Sequence, residues 1–253
     1  MNMRELAERL FCVHKCASCR TILSQENFYD ALCPKCMEIY RKAKTESCSQ
    51  CLRSAVECIC QPKMLSASGS LCLCKLFFYH VDKANEAENK LVYFLKHQPN
   101  KRVEKFVAAE LSPILSRELS ALDIEDVQKE AVIVNAPRGR KALKENGFDQ
   151  SERICRMLSE RTGIPFAPAI RRRAGGKEQK RLTAEQRKRN IKSRMLCNEK
   201  YAEEIKGKYV ILFDDVVTTG ASMSACLPLL RKMGAKGVIG CTLAADRKKK
   251  TER

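Results

Sequence analysis

Two adjacent carboxylates, Asp214 and Asp215, are followed by a short run of hydroxyl-bearing residues and a glycine. An apolar stretch precedes the acids, and a helix-like pattern begins at about Ser222. A loop at a helix N-terminus offers backbone N–H groups and the positive end of the helix dipole to an anion. The carboxylates beside it suit ribose hydroxyls or a hydrated Mg²⁺. The spacing therefore predicts a site for a phosphate next to a sugar.

This run resembles the phosphoribosyl-pyrophosphate (PRPP) signature of type I phosphoribosyltransferases. The resemblance implies that Asp214 and Asp215 are the catalytic carboxylates, facing the ribose hydroxyls with Mg²⁺ nearby. It also implies a loop around the 5′-phosphate, formed by Val217, Thr218, Thr219, Gly220, Ala221 and Ser222. Gly220 lets the backbone approach a ligand closely because it has no Cβ. The alternative is an ordinary buried strand and loop, which the complete match from Val210 to Ser222 disfavours.

Cysteine pairs near the start of the chain have the spacing of a metal site. Cys16 and Cys19 form one C-x-x-C pair, Cys33 and Cys36 form another, and thirteen residues separate the pairs. Two such knuckles offer four thiolates at the tetrahedral geometry of Zn²⁺. Loops this small bury little apolar area, so metal binding would supply their folding free energy. We therefore predict a structural Zn²⁺ site.

A second cysteine set follows, and its candidate ligands for a second Zn²⁺ are Cys48, Cys51, Cys58 and Cys60. The first two form a regular knuckle, but the later spacing is irregular. Cys72 and Cys74 compete with the later members for the same metal. Two interpretations stay open: a second Zn²⁺ site, and a degenerate ribbon with spare thiols.

The most basic part of the chain is the segment 171–194, in which eleven Lys and Arg residues face only two acids. A solvated charged surface and a binding surface for a polyanion are both consistent with this composition. For the second interpretation, the candidate contacts to nucleic-acid phosphates are Arg187, Lys188 and Arg189. A third hypothesis is that the segment closes as a mobile lid over the phosphates of PRPP.

The elements that must position these residues alternate between strands and helices. Helical spacing is seen at 87–97, 151–162 and 222–233, and apolar runs that predict strands are found at 131–135, 210–213 and 238–243. This alternation predicts an α/β fold, a parallel sheet covered by helices. Ligands in such sheets bind at the C-terminal ends of strands, where Asn135 and Asp214 lie. Another helical pattern is interrupted by Pro113, which predicts a kink or an end.

Length, charge and cysteine content set the broad class of the protein. The 253 residues suit two domains better than one, and the net charge of +18 attracts phosphates. No run of about 18 apolar residues is found, so no membrane span is expected. The first residues lack the pattern of a secretory signal, and the 15 cysteines are therefore expected as thiols or metal thiolates in the cytoplasm.

Together these features resemble the competence-protein ComF family over nearly the whole chain. That family joins a cysteine-rich zinc module to a type I phosphoribosyltransferase-like domain, which implies a division here into 1–75 and 76–253. Matching segments lie at Ile133–Pro137, Asn146–Gln150 and Gln179–Ile191. Departures from the pattern are Ala136 in place of a proline and Asn146 in place of an arginine.

The resemblance implies a role in natural transformation, the uptake and handling of incoming single-stranded DNA. The expected protein binds PRPP, binds single-stranded DNA, and has proteins of the DNA-uptake machinery among its partners. The alternative is an active phosphoribosyltransferase that moves ribose 5-phosphate from PRPP to a base or amine. In that reaction Mg²⁺ and basic groups such as Arg138 or Arg140 would stabilise the departing pyrophosphate.

Overall fold

The computed structural model describes residues 11–80, 86–173 and 194–246, without the side chains of 140–142. The strands within them are β1 Leu73–Tyr79, β2 Ala131–Asn135, β3 Ile170–Arg172, β4 Met195–Cys197, β5 Tyr209–Val217 and β6 Gly237–Asp246. The main sheet has four parallel strands in the order β1-β6-β5-β2, and β3 and β4 form a short antiparallel pair. The predicted α/β fold, a parallel sheet with flanking helices, is confirmed.

Helices precede, connect and cover these strands. In the described part of the chain they are α1 Pro34–Thr45, α2 Lys63–Ala67, α3 Ala87–His97, α4 Lys101–Ser120, α5 Val127–Glu130, α6 Arg140–Asn146, α7 Gln150–Thr162, α8 Ala202–Ile205 and α9 Ala221–Lys232, with a 3₁₀ turn at Glu199–Tyr201. None of the described helices combines the length and apolar character needed to cross a membrane.

The sheet separates two hydrophobic cores, because successive side chains of a strand point to opposite faces. The larger core includes Ile133, Ile211 and Phe213 from the strands, with Leu91, Leu111 and Leu158 from α3, α4 and α7. The smaller core includes Val132, Val210 and Leu212 from the strands, with Leu65 from α2 and Leu227 and Leu230 from α9. Burial on both faces explains why the central strands are nearly continuous apolar runs.

The first cysteine pairs lie against the larger core. Cys16 and Cys36 are buried members of it, and Tyr40 of α1 packs edge-on against Phe77 of β1 with ring centres 6.0 Å apart. The N-terminal segment is thus stabilised in part by apolar contacts with the sheet and its helices.

Two expectations differ from the structure. The strand predicted at 210–213 continues to Val217, because β6 pairs with β5 as far as Val217 and Ala245. Asp214 and Asp215 therefore belong to a strand rather than to a loop. An end of the helix at Pro113 is wrong, since α4 continues through it to Ser120. The buried face of α4 packs on the core, and this packing offsets the hydrogen bond that proline cannot donate.

Candidate functional site

The loop after β5 has the geometry of an anion site. Gly220 is the N-cap residue of α9 and has a φ of +77°, which favours glycine. Among the described residues, no side chain caps the N–H groups of the first turn of α9. These donors and the helix dipole converge on the loop from Val217 to Ser222, as phosphate binding requires.

Ser224, in the first turn of α9, was missed by the sequence analysis. Its side chain is buried, and its hydroxyl oxygen has no hydrogen-bond partner in the part of the chain that the structure describes. The only signal for Ser224 in the sequence was its position shortly after Gly220. Many helices have a serine near their start, so this signal is not specific. A buried hydroxyl without a partner is costly, so a ligand or water at this turn would satisfy it.

The two adjacent carboxylates interact with each other, and each also has neighbours of its own. Asp214 acts electrostatically on Cys226, whose pKa is raised by burial and then by this carboxylate. Asp215 Oδ2 accepts a hydrogen bond of 3.0 Å from Arg138. The sequence placed the acids side by side, but it did not show that each has its own surroundings.

The two acids lie beside different charged groups. Asp214 is half-buried, and desolvation followed by the charge of Asp215 raises its pKa well above the ordinary value of 3.8. Asp215 instead has two cations close to Oδ2, the Arg138 guanidinium and, at 3.6 Å, the Lys96 ammonium. The site therefore combines a carboxyl group whose pKa is raised with a carboxyl group that lies beside two cations.

Arg138, proposed for the pyrophosphate side, connects three elements. Its guanidinium donates to Gln150 Oε1 at 2.8 Å and to the carbonyl of Lys96 at 3.5 Å, and its backbone N–H donates to Asp149 Oδ2 at 3.2 Å. The loop after β2 is thus tied to the end of α3 and to the start of α7. Lys96 was missed because nothing in its sequence context distinguishes it from other exposed lysines.

Two buried polar atoms beside this network lack partners within the described ranges. They are Asn135 Oδ1, at the end of β2, and Gln150 Nε2, at the start of α7. Asn135 pairs with Phe213 of β5, two residues before Asp215. Gln150 was quoted as part of a matching segment but was given no role. Carboxylate and amide oxygens are ligands that Mg²⁺ accepts, so the donor types fit Mg²⁺ with PRPP.

The first cysteine cluster has the dimensions of a metal site. The sulfur atoms of Cys16, Cys19, Cys33 and Cys36 all lie within 4.8 Å of one another. Sulfur atoms 2.3 Å from a tetrahedral Zn²⁺ lie about 3.8 Å apart, and those of Cys19 and Cys33 are 3.6 Å apart. Although burial opposes it, hydrogen bonding with Thr21 lowers the pKa of Cys19 to about 6. The four residues therefore fit a thiophilic ion.

The second cysteine cluster is equally compact. The sulfur atoms of Cys48, Cys51, Cys58 and Cys60 also lie within 4.8 Å of one another. Cys72 and Cys74 are not in this group; both lie at the start of β1 and are buried in the larger core. The structure thus brings together the four residues of the predicted second site and separates the two competitors from it.

Some predicted residues lie outside the described part of the chain. These are Arg187, Lys188 and Arg189, with most of the segment 171–194, and the side chain of Arg140. At the edge of that segment, Arg173 N–H donates to the carbonyl of Arg194 at 2.8 Å and extends the pairing of β3 with β4.

Comparisons with known proteins match parts of this chain. The phosphoribosyl transferase domain family matches residues 153–253. DNA utilization protein YhgH of Escherichia coli is 31% identical over 52% of this chain and 57% of its own length. Its namesake in Salmonella typhimurium is 30% identical over 57% of this chain and 63% of its own length. The chain thus spans less than two thirds of the curated relatives it matches.

Among solved structures, a hypoxanthine phosphoribosyltransferase from Staphylococcus aureus matches with 16% identity and a TM-score of 0.34, covering 61% of this chain and 70% of that one. The sequence comparisons confirm the resemblance expected from the motifs. Residues 153–253 match the phosphoribosyl transferase domain family, the chain is homologous to the DNA utilization proteins, and cysteine clusters suited to zinc lie before the matched residues.

Proposed function

We propose that this homologue of the DNA utilization proteins is a cytoplasmic, PRPP-binding accessory protein for natural transformation. It would act in the uptake and handling of single-stranded DNA, together with proteins of the DNA-uptake machinery. The observation that carries the proposal is the uncapped N-terminus of α9 at Gly220, directly after the strand that bears Asp214 and Asp215. A phosphate and the hydroxyls of its ribose would find their partners there within one short segment.

The chain's own groups divide the ligand between them. The first turn of α9 and the loop hydroxyls of Thr218, Thr219 and Ser222 would hold the 5′-phosphate, and the two acids would hold the ribose hydroxyls and Mg²⁺. When bound, Mg²⁺ would neutralise charge on the pyrophosphate. Arg138 would exchange its contact with Asp215 for the pyrophosphate, since a guanidinium pairs well with phosphate oxygens.

DNA binding is the second part of the proposal. The names of the homologues concern DNA utilization, and the net charge of +18 favours polyanions. We assign the main phosphate contacts to Arg187, Lys188 and Arg189, together with the basic surface of the N-terminal module. Structural Zn²⁺ would be held there by Cys16, Cys19, Cys33 and Cys36, whose sulfur atoms fit it.

The alternative function, transfer of ribose 5-phosphate from PRPP to a base or amine, is favoured by one observation. Asn135 Oδ1 and Gln150 Nε2 are buried without partners in the described structure, one an acceptor and the other a donor. Such a pair would suit the polar edge of an acceptor beside the ribose. In a bound PRPP complex, a ribose hydroxyl or water could donate to Asn135 Oδ1, and a phosphate oxygen or water could accept from Gln150 Nε2.

A turnover screen separates the two functions. Purified protein with Mg²⁺ and PRPP would be incubated with a panel of bases and amines, and pyrophosphate release would be followed. The accessory role predicts PRPP binding in calorimetry, no release above the acceptor-free control, and single-stranded DNA binding that weakens with salt. Release that depends on one acceptor would establish the transferase, whereas absence of both PRPP and DNA binding would overturn the proposal.

A further inference from the structure

A short helix connects the second cysteine cluster with the phosphate loop. The chain leaves the cluster at Cys60, passes Pro62 and forms α2. A Cβ built on Gly220 would lie 3.1 Å from Leu65 Cβ and 3.6 Å from Pro62 Cβ. The backbone turn that starts α9 is therefore in direct contact with the segment that follows the last cysteine of the cluster.

This segment is held firmly against the sheet. Leu65 is fully buried in the smaller core, together with Met223 of α9 and Val217 at the end of β5. Its carbonyl accepts a hydrogen bond of 3.3 Å from the N–H of Ser70. A second hydrogen bond joins the segment to the sheet: the N–H of Leu73 in β1 donates to the carbonyl of Ile59 at 3.2 Å. Movement of the cluster would be transmitted to the loop because the packed segment between them is short.

A small cavity lies where the cluster and the loop meet. Its volume is about 50 Å³, and its walls include Cys48, Cys58 and Cys60 from the cluster, Thr218 from the loop, Asp246 from β6 and Lys75 from β1. Residues of the proposed phosphate site and of the second cysteine cluster thus line the same cavity. The first cysteine cluster does not border the phosphate loop, because Cys16 and Cys36 belong to the larger core, on the other face of the sheet.

Lys75 links the charge of the cluster to this junction. Its side chain is 1% exposed, and its ammonium donates to the carbonyl of Cys58 and lies 5.9 Å from the ring centre of Phe78. A buried ammonium needs an opposite charge nearby. Four thiolates around a divalent ion carry a net negative charge, so the metal-loaded cluster supplies the counter-charge for Lys75.

We propose that the second cluster, when it holds a divalent thiophilic ion, positions the phosphate loop through Pro62 and Leu65. These two are positioning residues that hold the turn at Gly220 in the conformation needed by a 5′-phosphate. The role rests on the proposed function, because the loop must bind the phosphate of PRPP or a related phosphosugar. Loss of the ion would loosen the segment from Cys60 to α2. The loop from Val217 to Ser222, which packs on this segment at Gly220, would then bind the phosphate more weakly.

Two matched serine variants of the full chain test this role. Cys60→Ser removes a ligand of the second cluster, and Cys33→Ser removes one from the first. Metal content, PRPP affinity and amide hydrogen exchange would be measured on both. Each variant should lose one ion. Cys60→Ser should bind Mg²⁺-PRPP about tenfold more weakly, or ~1.4 kcal/mol, and exchange faster at 218–222, whereas Cys33→Ser should match the wild type in both.

A second pair keeps every thiol in place, in case Cys60→Ser fails to fold. Leu65→Ala keeps the Cβ beside Gly220 but removes the rest of the side chain, which packs in the smaller core with Val217 and Met223 on either side of the loop. Ile205→Ala opens the same core at another buried position. Leu65→Ala should weaken PRPP binding and speed exchange in the loop at full metal content, while Ile205→Ala should lower stability only. Equal loop exchange in Leu65→Ala and wild type would overturn the positioning role, even if the wild type did not bind PRPP. Absence of PRPP binding by the wild type, with faster loop exchange in Leu65→Ala, would count against the proposed function alone.

Discussion

At the scale of single residues, the acidic pair is asymmetric. Asp214 is desolvated on the side of Cys226, while Asp215 is held by Arg138 and Lys96. The sequence identified both acids from their motif. It could not assign their different roles, because the neighbours of each come from distant parts of the chain.

This asymmetry predicts opposite effects of two isosteric changes on stability. Because the pKa of Asp214 is raised in the folded state, the folded protein keeps this proton at pH values above 3.8, where the unfolded chain has lost it. The contribution of Asp214 to the free energy of unfolding therefore falls as the pH rises from 3.8 toward the pKa of the folded state. Asp214→Asn does not titrate and should become increasingly more stable than the wild type over that range. Urea unfolding at several pH values measures the difference, and a constant difference would contradict the prediction.

Asp215→Asn should instead destabilise the fold. It removes the charged acceptor of Arg138 and Lys96, and one charged hydrogen bond contributes about 1.5–3 kcal/mol. Urea unfolding at neutral pH measures the loss. Glu203→Gln, an exposed carboxylate in α8, is the control and should leave the free energy of unfolding unchanged. Stability equal to that of the control would show that the contact with Arg138 has no net value.

The first cysteine cluster gives another prediction at this scale. Cys33→Ser should remove one Zn²⁺ per chain, because the remaining three thiolates no longer close a structural tetrahedral site. Metal analysis of the purified variant measures this. Cys12→Ser is the control, since Cys12 is exposed and lies outside both clusters. Unchanged zinc content in Cys33→Ser would refute the ligand assignment.

At the scale of elements, local patterns predicted helices α3, α7 and α9 and strands β2, β5 and β6. The spacing of apolar residues predicted a helix at 87–97, and α3 has these bounds because its apolar side chains pack into the core. The end of β5 was placed too early, since its last four residues are strand only through pairing with β6. The role of α2 was also invisible in the sequence, because the contact of Leu65 with Gly220 joins segments far apart in the chain.

The basic segment 171–194 carries a prediction about DNA. Changing Arg187, Lys188 and Arg189 to Ala should weaken binding to every single-stranded sequence alike. It should also make the salt dependence shallower, by about 0.7 in slope for each lost phosphate contact. Aromatic residues make up only 6% of the chain, with no Trp, so base stacking should add little sequence preference. Binding would be measured by fluorescence anisotropy at several salt concentrations.

A matched change controls for bulk charge. Replacing Lys248, Lys249 and Lys250 removes the same number of charges near the C-terminal end of the sequence. The segment hypothesis predicts that this control keeps most of the DNA affinity. The lid hypothesis predicts that the Arg187, Lys188 and Arg189 variant loses PRPP affinity and keeps DNA affinity. No DNA binding by the wild type at low salt would end the first hypothesis.

At the scale of the whole molecule, the two cysteine clusters occupy different places. The first lies against the larger core, next to α1 and β1, and the second packs with Phe78 in a small cluster of its own beside the phosphate loop. The sequence indicated a cysteine-rich part before a phosphoribosyltransferase-like part. It did not show that the two share hydrophobic contacts, because these contacts depend on how the N-terminal segment packs on the sheet.

The central claim is that the segment from Asp214 to Ser222 binds Mg²⁺-PRPP, and calorimetry on one double variant tests it most directly. Asp214→Ala with Asp215→Ala removes the acceptors for ribose and metal. Each lost charged hydrogen bond costs about 1.5–3 kcal/mol, so affinity should fall at least about tenfold. Glu203→Ala with Glu204→Ala removes an adjacent, exposed acidic pair and should bind like the wild type. PRPP affinity equal to that of the wild type in the Asp214, Asp215 variant would contradict the site.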